Sequence, residues 1–226
     1  MSFTPLSEKL MSGSSKFIRV CKRFLSFFYY SKLNEYLTEG NAKKESKDFL
    51  GALIGFNKAL ALKPGSADIY FNIGICKKEL EDYDGALHAF SKAIERNKNF
   101  AAAYFQRASV KTTMGKNLDA VTDCVSAIEL DSTLYDAYVI IGDAKRKLGK
   151  YKEAEKNYSR AIAINPAVPD PYFKRAHVRR NLGNFEGALE DFNKYVDLKP
   201  DAEKLSVNEM IRTLFKRELK LAKFQV

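Results

Sequence analysis

Apolar and polar positions in this chain follow helical spacing, and the helical pattern itself recurs. Tyr70, Ile73, Gly74 and Lys77 fall at i, i+3, i+4 and i+7, one face of a helix. Tyr36, Tyr70, Tyr104, Tyr138 and Tyr172 stand 34 residues apart. Sixteen residues after each comes Ala52, Ala86, Ala120, Ala154 or Ala188, and four further on Phe56, Phe90, Cys124, Tyr158 or Phe192. Ala59, Ala93, Ala127 and Ala161 follow, with Tyr195 in the fifth register. Gly40, Gly74, Ala108, Gly142 and Ala176 keep one site small, where a paired helix must come close. Gly149 and Gly183 sit where a helix C-cap needs a left-handed residue. The aromatics Phe49, Tyr83, Tyr151 and Phe185 follow the turns, and Pro64, Pro166 and Pro200 close three units. The pattern predicts five helix pairs, over 33–66, 67–100, 101–134, 135–168 and 169–202. No such pair can bury its apolar face alone, so neighbours must stack.

A fixed period of this length, carrying an aromatic and then Ala-x3-aromatic, resembles the tetratricopeptide repeat, a helix-turn-helix unit. The resemblance covers residues 33–202. It implies an all-α fold: an α-solenoid of five helix-turn-helix repeats.

The flanks carry their own expectations. Residues 1–15 are rich in serine and threonine and read as disordered, whereas 16–31 read as an amphipathic helix. On that helix Phe17, Cys21, Phe24 and Phe28 share a face among basic residues. Three roles compete for it: a cap on the first repeat, contact of residues 16–31 with an anionic membrane surface, or a transit segment. Residues 203–226 read as a C-terminal capping helix with Val207, Met210, Ile211, Leu214 and Phe215 as its apolar stripe. Residues 1–32 set Lys9, Lys16, Arg19, Lys22, Arg23 and Lys32 against Glu8 alone, about half of the net charge of +10.

Chemistry is sparse. His88 and His177 lie three units apart, and Cys21, Cys76 and Cys124 lack metal-ligand spacing. Cys124 fills an aromatic core slot and reads as a small hydrophobe in a reducing, cytoplasmic setting. Phosphate-binding glycine loops and nucleophile–base constellations are missing, so a non-catalytic protein without cofactor is expected. The remaining lysines and arginines alternate with acids, as at Lys78 and Glu79 or Glu155 and Lys156, which argues against nucleic acid.

In the family that the repeat resembles, the first helix of each unit lines a concave groove that holds bound peptides. The residue after each tyrosine then projects inward, giving a ladder of Leu37, Phe71, Phe105, Val139 and Phe173. Asn41, Asn72, Gln106, Asp143, Lys174 and His177, one or four residues beyond a rung, complete the candidate groove with Arg146 and Arg180. Asn34, Asp68, Ala102, Asp136 and Asp170 give one edge an acidic tendency, and Lys44, Lys78, Thr112, Arg146 and Arg180 make the opposite edge basic. The expected partner is a protein or peptide segment, and self-association through the groove or capping helix is a rival. Family members that grip the EEVD tails of chaperones use a clamp of three cations and two asparagines. Here the clamp positions hold Leu37, Asn41, Asn72, Ala102 and Gln106, with every cation missing, so EEVD tails are not expected to bind.

Overall fold

The computed structural model describes residues 6–199, 213, 216–218, 220 and 221, and every element among them is an α-helix. In chain order these are α1 (Leu6–Glu45), α2 (Phe49–Leu62), α3 (Ala67–Glu79), α4 (Tyr83–Arg96), α5 (Ala101–Thr113), α6 (Asn117–Leu130), α7 (Tyr135–Lys147), α8 (Tyr151–Ile164), α9 (Asp170–Asn181) and α10 (Phe185–Leu198). They divide into two compact units, Met1–Asn97 and Lys98–Val226. Within each unit every helix packs on the next, as hairpins stacked in a solenoid do.

One turn serves all five hairpins. Residues 47, 81, 115, 149 and 183 take positive φ, between 60° and 79°. The next residue's amide then reaches back five positions, as in Asp48 N to the Lys43 carbonyl at 2.8 Å and Asn184 N to the Arg179 carbonyl at 2.9 Å. This is a left-handed C-cap that satisfies carbonyls the helix leaves over. Glycine fills it in the last three hairpins, but Lys47 and Glu81 adopt it against the preference of an L-residue. Asp48, Asp82 and Asn184 then cap the following helix, accepting from the amides of Gly51, Gly85 and Gly187 at 2.9–3.0 Å.

The recurring small site has a plain steric cause. A Cβ on Gly40, Gly74 or Gly142 would lie 2.8, 2.6 and 2.6 Å from the ring of Phe56, Phe90 or Tyr158 on the paired helix. Those three rings, with Phe192 and Cys124, are wholly buried. Where the helices carry Ala108, the partner is the smaller Cys124, whereas Ala176 shares its cluster with the full ring of Phe192. In the first unit the core gathers Leu33, Phe56, Ile69, Ile73 and Cys76. In the second, clusters form around Cys124, Tyr158 and Phe192.

Two expectations at the flanks change. Helix α1 is continuous from Leu6 to Glu45, so residues 6–15 are helical rather than disordered, and no break separates 16–31 from the first repeat. Glu8, Lys9, Leu10 and Met11 favour a helix, and no proline interrupts residues 6–45 to stop one. Residues 1–5 lie outside the described residues, as do Val207, Met210, Ile211, Leu214 and Phe215 of the expected capping helix. Thr213, Lys216, Arg217, Glu218, Lys220 and Leu221 are helical.

Candidate partner-binding groove

In the first unit the candidate residues sit on α1 and α3. Leu37 is half-buried and packs on the core, with Asn41 half-buried one turn later. Phe71 tilts onto Phe90, their centroids 5.8 Å apart. Asn72 is engaged at both ends: its Oδ1 accepts from Lys44 Nζ at 2.6 Å, and its Nδ2 donates to the Asp68 carbonyl at 2.9 Å. The asparagine that would serve a chaperone clamp is thus held by the protein's own lysine.

The second unit concentrates the rest. Phe105 packs on the cluster around Cys124, Gln106 is half-buried, and Val139 packs beside Tyr158. Arg146 from α7 and Phe173, Lys174 and His177 from α9 line one cavity of about 360 Å³. Phe173 forms its apolar wall, edge-on to His177 at 4.5 Å and backed by Tyr195 at 4.9 Å and Phe192 at 6.2 Å. Lys174 Nζ bonds Asp143 Oδ2 at 2.6 Å, and Arg146 Nε lies 3.9 Å from Asp143 Oδ1. Arg180 reaches Glu218 Oε2 at 3.4 Å with its side chain 44% exposed. The ladder residues are all half-buried rather than exposed, because each ring or branched chain leans back on its own hairpin's core.

Two features escaped the sequence. Tyr158, in the slot that carries phenylalanine in three other repeats, donates its hydroxyl to Asp143 Oδ1 at 2.8 Å. Burial, and then the neighbouring Asp143, push its phenol up, so it stays a donor that fixes the carboxylate between α7 and α9. A tyrosine in a core slot was the available signal, since a buried hydroxyl seeks a partner. The second feature is ionic. Arg175 of α9 grips Asp191 of α10 with Nε at 2.8 Å and Nη2 at 2.6 Å, and Arg107 grips Asp123 in the same way at 2.9 and 2.7 Å.

Electrostatics sharpen the cavity. Burial, followed by Arg180 and Arg146, lowers the His177 pKa, so a neutral imidazole able to donate and accept faces the pocket. Burial raises the Asp136 carboxyl on α7, opposed by the Tyr135 hydroxyl and Lys174. Cys76 and Cys124 are buried, with thiols pushed up to about 11 and about 12, which leaves them unreactive. Among the described residues no three His, Cys, Asp or Glu side chains converge as a metal set. A second cavity of about 360 Å³ lies at the turn edge, lined by residues 115–119, Ala144, Lys147 and Leu148. It holds none of the candidate groove residues.

Stacked helical hairpins around a polar-rimmed apolar cavity define a repeat scaffold, the architecture of protein-interaction modules. Tetratricopeptide repeat patterns match residues 67–100, 142–183 and 169–202, and the chain is a tetratricopeptide repeat protein. Among solved structures, MamA is 21% identical over 77% of this chain and 95% of its own, with a TM-score of 0.67. YrrB, a TPR protein with an unusual peptide-binding site, is 23% identical over 74% and 87%, with a TM-score of 0.63. A tetratricopeptide repeat protein from Parabacteroides merdae ATCC 43184 is 16% identical over 85% and 77%, with a TM-score of 0.69. At these identities the likeness is one of fold. None of the curated proteins compared with the chain matches it.

Proposed function

We propose that this protein is a non-catalytic adaptor that holds a partner's peptide segment on the face formed by α7 and α9. The observation that carries this reading is the convergence of Arg146, Phe173, Lys174 and His177 on one cavity. Phe173 offers a preformed apolar wall, because Tyr195 and Phe192 support its ring from behind. An apolar or aromatic side chain of the partner enters there, while its backbone carbonyls or an adjacent carboxylate meet Arg146, whose side chain is 42% exposed. Rigid aromatics with polar rims are the usual anchors of such interfaces. The description of YrrB as having an unusual peptide-binding site is consistent with a peptide ligand for this repeat architecture. The missing cations at the clamp positions, and the Lys44–Asn72 bond, argue against EEVD tails as that ligand.

A peptide-library selection on the full chain, followed by calorimetric titration of the selected peptides, tests the reading. Phe173→Ala and Arg146→Glu should each weaken the selected peptides by about 30-fold, the loss of roughly 2 kcal/mol typical of an anchor. Lys156→Glu, an exposed position on α8 outside the cavity, should leave them unchanged. Peptides that bind both cavity variants as tightly as the unaltered protein would sink the proposal.

A further inference from the structure

Helix α1 is much longer than its partner. Tyr29 donates its hydroxyl to the carbonyl of Leu62, the last residue of α2, at 2.7 Å. The part of α1 from Leu6 to Phe28 therefore lies on the far side of the point where α2 ends. At 1.5 Å per residue this stretch is about 35 Å long. Its described side chains are exposed: Arg19, Lys22, Arg23, Ser26, Phe27 and Phe28. Phe27 and Phe28 are 73% and 59% open to solvent, an unusual state for large aromatic rings.

At 100° per residue Arg19, Lys22, Arg23 and Ser26 fall on one flank of the helix, Phe28 falls opposite them, and Phe27 lies at the edge between, about 40° from Arg23. Residues 6–31 contain five basic residues and one acid, Glu8. No helix among the described residues is long and apolar enough to cross a membrane.

We propose that this overhanging stretch of α1 docks lengthwise on an anionic lipid bilayer, independently of the peptide groove. Phe28 and Phe27 enter the headgroup–acyl boundary, while Arg19, Lys22 and Arg23 remain among the anionic headgroups. A ring opposite the cations, with Phe27 at the boundary between the two flanks, suits an interfacial helix. A single-stranded nucleic acid asks for several stacking rings interleaved among the cations that follow its backbone, and of the described rings in this stretch only Phe27 borders them. A second copy of the same helix is opposed by the repulsion of like charges, five basic residues against one acid on each.

The chain contains no tryptophan, so Phe28→Trp places a single reporter on the apolar flank of the full-length protein. Phosphatidylcholine vesicles containing phosphatidylserine should shift its emission to the blue and carry the protein down on sedimentation. Vesicles of phosphatidylcholine alone should do neither. Each basic residue near an anionic surface contributes about fivefold to partitioning, so Arg19→Gln, Lys22→Gln and Arg23→Gln together should weaken it about 100-fold. Phe27→Ser with Phe28→Ser should weaken it too. The altered positions are exposed, so circular dichroism should be unchanged and groove peptides should bind as before. An unshifted reporter with anionic vesicles overturns the proposal. So does full retention of vesicle binding by the double serine variant, which would mark a purely electrostatic contact.

Discussion

Replacing Asp191 with alanine removes one carboxylate from between two arginines. Its side chain is 4% exposed and receives Arg175 Nη2 at 2.6 Å, Arg175 Nε at 2.8 Å and Arg179 Nη1 at 3.1 Å. Removing one partner of a buried ion pair costs about 3–5 kcal/mol, because the remaining charge keeps its desolvation without its compensation. The lower end applies here. Arg179 retains Glu155 at 2.8 Å, Arg175 retains the Ser159 hydroxyl at 2.9 Å, and the two guanidiniums keep 13% and 20% exposure. A loss of about 3 kcal/mol corresponds to a Tm lower by roughly 6–12 °C in a protein of this size. The same registers in the second repeat hold Ile73 and Ala89, an apolar solution to the same hairpin. Arg175→Ile combined with Asp191→Ala should therefore return to within about 1 kcal/mol of the unaltered protein. Thermal and urea unfolding of the single and double variants, followed by circular dichroism, measures both quantities. If the single variant loses less than about 1 kcal/mol, or the double variant is no more stable than the single, the burial argument is wrong.

Two further outcomes follow from local geometry. Glu81→Gly relieves a left-handed backbone at φ 60°, and after glycine's own entropic cost it should gain about 0.5–1 kcal/mol in urea titration; a net loss would show that the turn is not strained. Because the folded pKa of His177 lies below its ordinary 6.5, the unfolded chain takes up the proton first. The associated stability is therefore complete above about pH 6.5 and is lost as pH falls below it. His177→Gln should flatten that acid limb in urea midpoints measured from about pH 7.5 to 5.5, and an identical slope in both proteins contradicts the reading.

The hairpins were legible because their steric rule is local and repeated. A ring on one helix demands a glycine or alanine on the other, and the demand recurs at a fixed interval from Phe56 to Phe192. The turn was legible at Gly149 and Gly183 but not at Lys47 and Glu81, where the same backbone is imposed on residues that do not advertise it. The ionic pairs carried a signal that went unread: Arg107 and Asp123, like Arg175 and Asp191, are sixteen residues apart in registers that hold Ile73 and Ala89 elsewhere. A charge in an apolar register can mark an error of alignment or a buried pair, and only the structure decides. The length of α1 was not legible because its serine-bearing start has the composition of a disordered segment, although no proline stops the helix.

Register alone also could not say how far each rung of the groove is buried, and that point governs how the groove must be probed. Phe173 touches His177 on the cavity side and Phe192 and Tyr195 on the core side, so the ring proposed as the anchor is also part of the core. Its truncation opens a void of the kind that costs about 3–5 kcal/mol for a phenylalanine, enough to loosen α9 from α10. Weaker peptide binding by Phe173→Ala therefore cannot by itself distinguish a lost anchor from a displaced helix. Arg146 resolves the ambiguity. Its guanidinium is 42% exposed and its Nε lies 3.9 Å from Asp143, so its side-chain tie to the core is the Tyr158 hydroxyl, which keeps Asp143 as a partner, and Arg146→Glu disturbs the fold less than Phe173→Ala does. Lys174 would be a poorer choice, because its 2.6 Å bond to Asp143 ties α9 to α7 and its loss would move the cavity wall. A partner that loses affinity with Arg146→Glu while Tm stays fixed is held by the groove itself.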